Sequence, residues 1–457
     1  MQISQNPATE EILKEVPELS DGEIQERLAS AFSAQKEWKN TPFSKRSELF
    51  RKLAEIFRSE KEVIGKMISL EMGRPLGPAI AESEKSAWAC EYYAESAERM
   101  LAPEPFPEGA GDGEVRFEPL GVILAVMPWN YPFWQVVRFA APSLMAGNGA
   151  LLKHASNVPQ SAAMLEELFL RAGFPKGVFQ NLPISIPQTA SVIDDARVAA
   201  VTLTGSVRAG TSVGERAGRN LKKIVLELGG SDPFIVLKDA DIQAAARVGA
   251  IARLQNAGQT CIAAKRFIVE KEVADAFLSA LTEEFKEYTV GDPMDASTMV
   301  GPLATKNILE GVDAQVKKSV EMGAKVVTGG MRKEGKGNFY MPTILTNLKK
   351  GMPAYDEEVF GPVASIIPVA NEEEAVTVAN DTEFGLGASI WTKDIEKAKK
   401  LAGRIEAGAV FINSQVKSDP RIPFGGVKKS GHGRELGEYG VKEFVNAKTV
   451  SVMRGKT

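Results

Sequence analysis

From residue 121 onward the chain repeatedly sets a short apolar run against a longer stretch of helical period. "GVILAVM" precedes "QVVRFAAPSLMAGN", "ALLKHA" precedes "PQSAAMLEELFLRAG", and "VAAVTLTG" precedes "SVRAGTSVGERAG", which leads into "KIVLEL". Strands that alternate with helices of this length are joined by right-handed crossovers, which assemble them into a parallel sheet. The pattern restarts after Gly229, with "DPFIVLK", "RFIVE" and "KVVTGG" as strands and a charged helix near residues 304–322. Two α/β sheets are expected, because 457 residues exceed the size at which a single core stops growing. The first hundred residues are mostly helical in period, as in "EIQERLASAFSAQKEW", and should pack onto the first sheet. "APEPFPEGAGDGEVRFEP" and the C-terminal "EFVNAKTVSVMRGKT" stand apart as extended segments suited to pairing with another subunit.

Composition then removes whole classes of function. A balance of 55 basic against 59 acidic side chains, a formal charge of -4, leaves no electrostatic case for nucleic acid or an anionic membrane as partner. The amino terminus lacks a basic region followed by an apolar one, and no window approaches the roughly 20 apolar residues of a membrane span. A cytoplasmic protein is expected. Two cysteines make no disulfide framework, and two histidines, His154 and His432, with no Cys or His cluster beside them, lead us to expect no metal site.

Four stretches carry candidate chemistry. Cys261 lies in "NAGQTC", small, polar and glycine-containing, a backbone that can lie open beneath a cleft. A nucleophilic thiol needs either a base or an environment that favours thiolate; neither histidine sits in a promising context, so a base would have to be a carboxylate. Glu227 ends the apolar strand of "VLELGGSDP", where open α/β sheets place their ligands, and a desolvated carboxylate there would have its pKa raised toward that of a general base. In "MPWNYPFW" the Asn130 amide sits in a Pro-flanked turn suited to an oxyanion, and Trp129 could wall a planar ligand. "LTGSVRAGTSVG", with Gly205 and Ser206, follows a strand and opens a helix, an arrangement able to take a phosphate. Cys90, among aromatics in "SAWACEYYAESAERM", reads as a core residue.

Taken in order, "PWNYP", "LTGS", "LELGGSDP", "GQTC", "EEVFGPV" and "PFGGVKKSG" resemble the aldehyde dehydrogenase superfamily over nearly the whole chain. The resemblance implies two Rossmann-type parallel-sheet domains and a small oligomerisation arm: a cofactor-binding domain at 1–98 and 118–228, a catalytic domain at 229–433, and the arm at 99–117 and 434–457. It implies that Cys261 attacks an aldehyde carbon, that Asn130 and the Cys261 N–H hold the oxyanion, and that Glu227 activates the water that hydrolyses the thioester. Lys153 and Ser206 would lie along the adenine ribose and pyrophosphate, and Glu358 and Phe360 would position the nicotinamide. A homodimer or homotetramer is expected.

Cofactor and substrate turn on single positions. NAD-preferring members often carry Glu where this chain has Ser156, and "KHAS" offers a Lys and a neutral hydroxyl that would welcome a 2′-phosphate. NADP is therefore expected over NAD. The pattern looks most like the short bacterial succinate-semialdehyde dehydrogenases, in which Arg138 and Ser418 would bind the substrate carboxylate. Gln255 stands where some members carry a second Arg, and Lys417 and Arg421 are nearby substitutes. Glutarate semialdehyde, an uncharged aldehyde, CoA-acylating chemistry, a cofactor-free thiol hydrolase and a non-catalytic scaffold are the alternatives.

Overall fold

The computed structural model describes residues 1–453. The chain opens not with helix but with an antiparallel hairpin of β1 (Gln2–Gln5) and β2 (Ile12–Val16). Four helices follow, α1 (Asp21–Trp38), α2 (Phe43–Ser59), α3 (Lys61–Met72) and α4 (Leu76–Met100). Ser20 starts α1 with a reciprocal capping box, its hydroxyl accepting from the Glu23 N–H while Glu23 returns to the Ser20 N–H. Next come β3 (Glu104–Pro105) and β4 (Asp112–Pro119).

The first large sheet uses β5 (Val122–Met127), β6 (Gly149–His154), β7 (Phe179–Asn181), β8 (Val198–Thr204) and β9 (Lys223–Glu227), all parallel. Between them run α5 (Trp134–Met145), α6 (Pro159–Arg171), α7 (Ile186–Asp194) and α8 (Val207–Arg219). The spatial order is β9-β8-β5-β6-β7, so the chain builds outward from β5 in one direction and then crosses to the other side. That reversal opens a crevice between the loops after β5 and β8, the place where doubly wound sheets bind ligands. Two buried carboxylates hold helices against it. Glu82 of α4 accepts from the Phe133 and Trp134 N–H groups at the start of α5, at 2.9 and 3.0 Å. Glu71 of α3 does the same for Gln160 and Ser161 in α6, at 2.9 and 2.8 Å. Each meets the positive end of a helix dipole and supplies acceptors to donors that have no partner within the helix.

The second sheet contains β10 (Asp232–Val236), β11 (Ala264–Glu270), β12 (Lys325–Thr328), β13 (Thr343–Thr346), β14 (Val363–Val369), β15 (Gly387–Trp391) and β16 (Ala409–Ile412), in the order β12-β13-β14-β11-β10-β15-β16. It is parallel except for β12, which pairs antiparallel with β13 at the edge. "KVVTGG" is thus a strand, as the sequence reading expects, but not of a crossover unit. A parallel sheet tolerates an antiparallel strand where one flank has no further neighbour. Helices α9 (Ile242–Leu254), α10 (Lys271–Lys286) and α11 (Lys306–Glu321) flank this sheet.

Two late segments return to earlier ones. β17 (Gly431–His432) zips antiparallel onto the end of β9, pairing Gly431 with Glu227, so His432 lies in a short strand rather than a turn. β18 (Val445–Val452) pairs along β4 from Val445 with Pro119 to Val452 with Asp112, and β3 completes this three-stranded sheet. Residues 454–457 of the expected arm lie outside the described residues. Among the described residues no helix is long and apolar enough to cross a membrane.

The largest core lies between α2 to α6 and the first sheet. Within it Phe50 is fully buried and stands edge-on to Phe169 and Phe174, at 6.4 and 5.0 Å between ring centres. Phe50→Ala should cost about 3–5 kcal/mol through lost transfer energy and the cavity left behind. A lowered thermal unfolding midpoint is the expected reading.

Candidate active site

The two sheets meet end to end. The carboxyl ends of β5, β8 and β9 face the amino ends of β10 and β11, and the register pairs Asp232 with Ala264 at that junction. The segment after β9 and the loop before β11 therefore lie side by side, which brings "LELGGSDP" against "GQTC". The two glycines allow the approach: a Cβ on Gly230 would stand 2.8 Å from the Cys261 carbonyl oxygen, and one on Gly229 would strike the Glu358 carboxylate. The Gly230 N–H donates to Glu358 Oε1 at 3.1 Å.

The loop that presents Cys261 has an unusual backbone. Asn256, Ala257 and Gly258 all hold φ near the left-handed region, at 54°, 53° and 75°. For two non-glycine residues this is a strained conformation, costing about 1–3 kcal/mol each unless surrounding bonds fix it. Arg253, fully buried at the end of α9, supplies such bonds. Its guanidinium donates to the carbonyls of Gly258, Gly361, Val359 and Ala264. The Asn256 side chain donates to the Asn130 and Gln259 carbonyls at 2.9 and 3.2 Å. Lys265 Nζ donates to the Thr260 and Cys261 carbonyls and pairs with Glu358 Oε1 at 3.1 Å.

Cys261 borders two cavities. One, of about 280 Å³, lies at the crevice of the first sheet and is bounded by Trp129, Asn130, Gly205, Ser206, Glu358 and Phe360 among others. The other, of about 240 Å³, extends the opposite way and is bounded by Lys85, Arg138, Gln255 and Ser418 together with neighbours from α4 and α5. Trp129 and Phe360 stand edge to face at 5.8 Å, walling the first. Ser206 caps α8, its hydroxyl accepting from the Ala209 N–H at 3.3 Å, so the positive end of a 13-residue helix opens onto that cavity. A diphosphate fits such an end, where backbone N–H groups and the helix dipole favour negative charge.

Asn130 is buried, and its Nδ2 donates to the Gln259 carbonyl at 3.0 Å. An amide nitrogen carries two hydrogens, so a second remains for an oxyanion beside the thiol. Glu227 is also buried, and among the described residues neither of its carboxylate oxygens has a hydrogen-bond partner. It borders neither cavity; its Oε1 instead faces Gly425. Burial first, and then the neighbouring Glu435, push the Glu227 carboxyl well above the usual range, with Arg138 opposing them. Lys153 and Ser156 lie at and just beyond the carboxyl end of β6, along the same sheet edge but outside the cavity walls.

Arg138 departs from the expectation of an available cation. It is buried in α5, ion-paired through Nε with the buried Glu435, and its guanidinium lies 4.7 Å from the centre of the Phe424 ring. Arg421 pairs with Asp419 at 2.7 Å. Ser418 instead accepts a hydrogen bond from Lys85 Nζ at 2.8 Å. Lys85, Arg253 and Glu435 escape a sequence reading because nothing local marks them. Lys265 alone carried a hint, four residues after the cysteine, a spacing that lets a long side chain fold back on the loop.

Neither histidine serves the thiol. His154 is buried at the end of β6, 2.9 Å from the Pro132 carbonyl, and burial holds its pKa down to about 4, so it is neutral at pH 7. Burial also pushes the Cys261 thiol up to about 12, with Arg138 and Lys265 only partly offsetting it. The thiolate fraction in the free protein should therefore rise about tenfold per pH unit between pH 7 and 9. Alkylation by iodoacetamide, followed by mass spectrometry, should climb with that slope at Cys261 and leave the buried Cys90 unmodified. A plateau below pH 9 would show a lowered thiol pKa instead.

The comparisons with known proteins agree with this geometry. The family model for the aldehyde dehydrogenase family matches residues 2–450. A probable succinate-semialdehyde dehydrogenase [NADP(+)] of Synechocystis sp. is 51% identical over 445 residues, covering 97% of this chain and 98% of its own. An aldehyde dehydrogenase of Paenarthrobacter nicotinovorans is 49% identical over 449 residues, covering 97% and 98%. The crystal structure of succinic semialdehyde dehydrogenase from Streptococcus pyogenes in complex with NADP+ superposes with a TM-score of 0.97 at 41% identity, covering 99% of this chain and all of the other. With two mostly parallel sheets meeting at a cysteine that borders both cavities, and with similarity running from end to end, the chain belongs to the aldehyde dehydrogenase family.

Proposed function

We propose that the protein oxidises succinate semialdehyde to succinate, with NADP preferred and NAD usable. The observation that carries this reading is the place of Cys261, on the wall shared by a cavity fit for a dinucleotide and a second cavity lined by cations and hydroxyls. The Synechocystis and Streptococcus pyogenes relatives, whose names state this substrate or this cofactor, support it.

The thiolate of Cys261 attacks the aldehyde carbon, and the oxyanion that forms takes the remaining Asn130 N–H and the Cys261 N–H. Bound in the cavity walled by Trp129 and Phe360, NADP would supply the acceptor for the hydride that leaves this carbon. A thioester on Cys261 remains, and Glu227 takes a proton from the water that cleaves it. Because Glu227 faces Gly425 and borders neither cavity, its side chain must turn toward the thioester for this step. Glu358, tied to Lys265 and the Gly230 N–H, and the Trp129–Phe360 pair hold the nicotinamide end. Gly205 and Ser206 take the diphosphate, while Lys153 and the neutral Ser156 accept the ribose end and its 2′-phosphate. Arg138, Gln255 and Ser418 line the aldehyde side.

In this reading residues 1–98 and 118–228 bind the cofactor and 229–433 supply the nucleophile. Residues 99–117 and 434–457 join subunits through the β3-β4-β18 sheet, in a homodimer or homotetramer. The site of action is the cytoplasm, in keeping with two free cysteines. One observation favours a second reading, an uncharged aldehyde, because Glu435 already neutralises Arg138.

Reduced-nicotinamide formation at 340 nm tests the proposal. Succinate semialdehyde with NADP should be the best pairing, and Cys261→Ala should abolish turnover. Glu227→Gln should stall at the thioester, because its hydrolysis needs the base. Ser156→Glu should move preference toward NAD by about tenfold or more, as a carboxylate repels the 2′-phosphate. Equal turnover of butanal would favour the second reading, and no turnover of either aldehyde would remove both.

A further inference from the structure

We propose that Lys85 is the cation that receives the distal carboxylate of the substrate, an assignment that rests on the reading above and adds a residue to it. Lys85 projects from α4 into the cavity that also exposes Cys261, so an aldehyde seated at the thiol directs its far end into the space this lysine borders. Four cations border that space, Arg74, Lys85, Arg138 and Lys417. Arg74 pairs with the buried Glu82 and stacks over Tyr131 at 4.4 Å, and Arg138 pairs with Glu435. Lys417 is exposed at the rim. Among the described residues no ion pair forms at Lys85. Its ammonium donates to Ser418 Oγ at 2.8 Å and lies 4.2 Å from the centre of the Trp134 ring.

The charges around it explain why the position suits an anion. Arg138 from α5 and Arg74 from the turn before α4 face it as like charges. Glu82 and Asp419 are the carboxylates that face it, and each is already held, by Arg74 and by Arg421. The uncompensated charge in the pocket is therefore positive, and a bound carboxylate neutralises it while Ser418 supplies a hydroxyl donor alongside. A lysine suits this task in a way an arginine does not. Its ammonium gives up its proton when crowded, whereas a guanidinium stays charged. Burial, with Arg138 and Arg74, draws the Lys85 pKa down to about 7. A carboxylate bound beside the ammonium favours the charged form, so binding is strong below pH 7 and weakens as pH rises through that value.

The experiment is the ratio of kcat/KM for succinate semialdehyde to that for butanal, followed from pH 6 to 9. The ratio cancels the shared dependence on the thiol and on Glu227. In the wild-type protein it should fall roughly fifteenfold between pH 7 and 8.5, as the protonated fraction of a group with a pKa of about 7 does. Lys85→Met should lower it about 10-fold or more at pH 6.5 and flatten the profile. Lys85→Arg should keep the ratio high and equally flat, and it preserves the test if the methionine variant fails to fold. An unchanged ratio in Lys85→Met, a pH limb that survives in Lys85→Arg, or a collapse in Lys417→Met instead would overturn the assignment. A wild-type protein with no preference for the carboxylated aldehyde would overturn the substrate reading and this assignment together. A preference that survives Lys85→Met would overturn the assignment alone.

Discussion

A single buried guanidinium organises the reacting region. Among the described residues Arg253 has no carboxylate within bonding distance; it is enclosed by carbonyl oxygens, and those oxygens belong to the two segments that must agree in position. One is the loop that turns through three left-handed residues to present Cys261, and the other is the Val359–Gly361 stretch that carries Phe360. Hydrogen bonds to a charged donor contribute about 1.5–3 kcal/mol each, enough in combination to hold two strained residues that cost about 1–3 kcal/mol apiece. Without that clamp the loop would relax toward ordinary dihedrals, and the thiol would leave the wall between the cavities. Gly258 is required at the tightest point, because a Cβ there would overlap the Gly361 carbonyl.

The electrostatics of the site follow from burial more than from charge. Desolvation raises the pKa of both Cys261 and Glu227, and Arg138 is a cation that moderates both. Its own partner, Glu435, comes from the segment that β17 zips onto β9. The strand pairing therefore does electrostatic work: it delivers a carboxylate that neutralises Arg138 and raises Glu227 through like-charge repulsion. A general base for water needs a pKa near the operating pH, and this arrangement raises a carboxyl through burial and like-charge repulsion.

Much of this was legible in the sequence where the code is local. The first-sheet strands quoted from the sequence, the glycine-rich start of α8, and the turn around Asn130 all follow from apolar runs and from Gly and Pro placement. Cys261 and Glu227 were legible for the same reason, since each sits where a strand or helix visibly ends. The amino-terminal hairpin was not, because "QISQ" and "ILKEV" are short and half polar: the first gains its structure by packing against α3 and α6, the second by pairing with the first. Nor was the direction of β12, which depends on a partner, β13, that the quoted pattern does not include. Arg138 shows the limit most clearly. Its position on α5 was readable, but its pairing with Glu435, nearly three hundred residues away, is a property of the folded chain alone.

Cys261 and Gln135 are the residues common to the two cavities. Lys85 and Ser418 touch only one side, and Gly205, Ser206 and Glu358 touch only the other. No hydrogen bond joins Lys85 or Ser418 to Gly205, Ser206 or Glu358 among the described residues, and changes at sites without a shared partner combine additively in free energy. The chain can therefore acquire a new aldehyde without disturbing its nucleotide, or exchange nucleotides without relearning its aldehyde. A protein divided in this way drifts along two independent axes of specificity while the chemistry between them stays fixed.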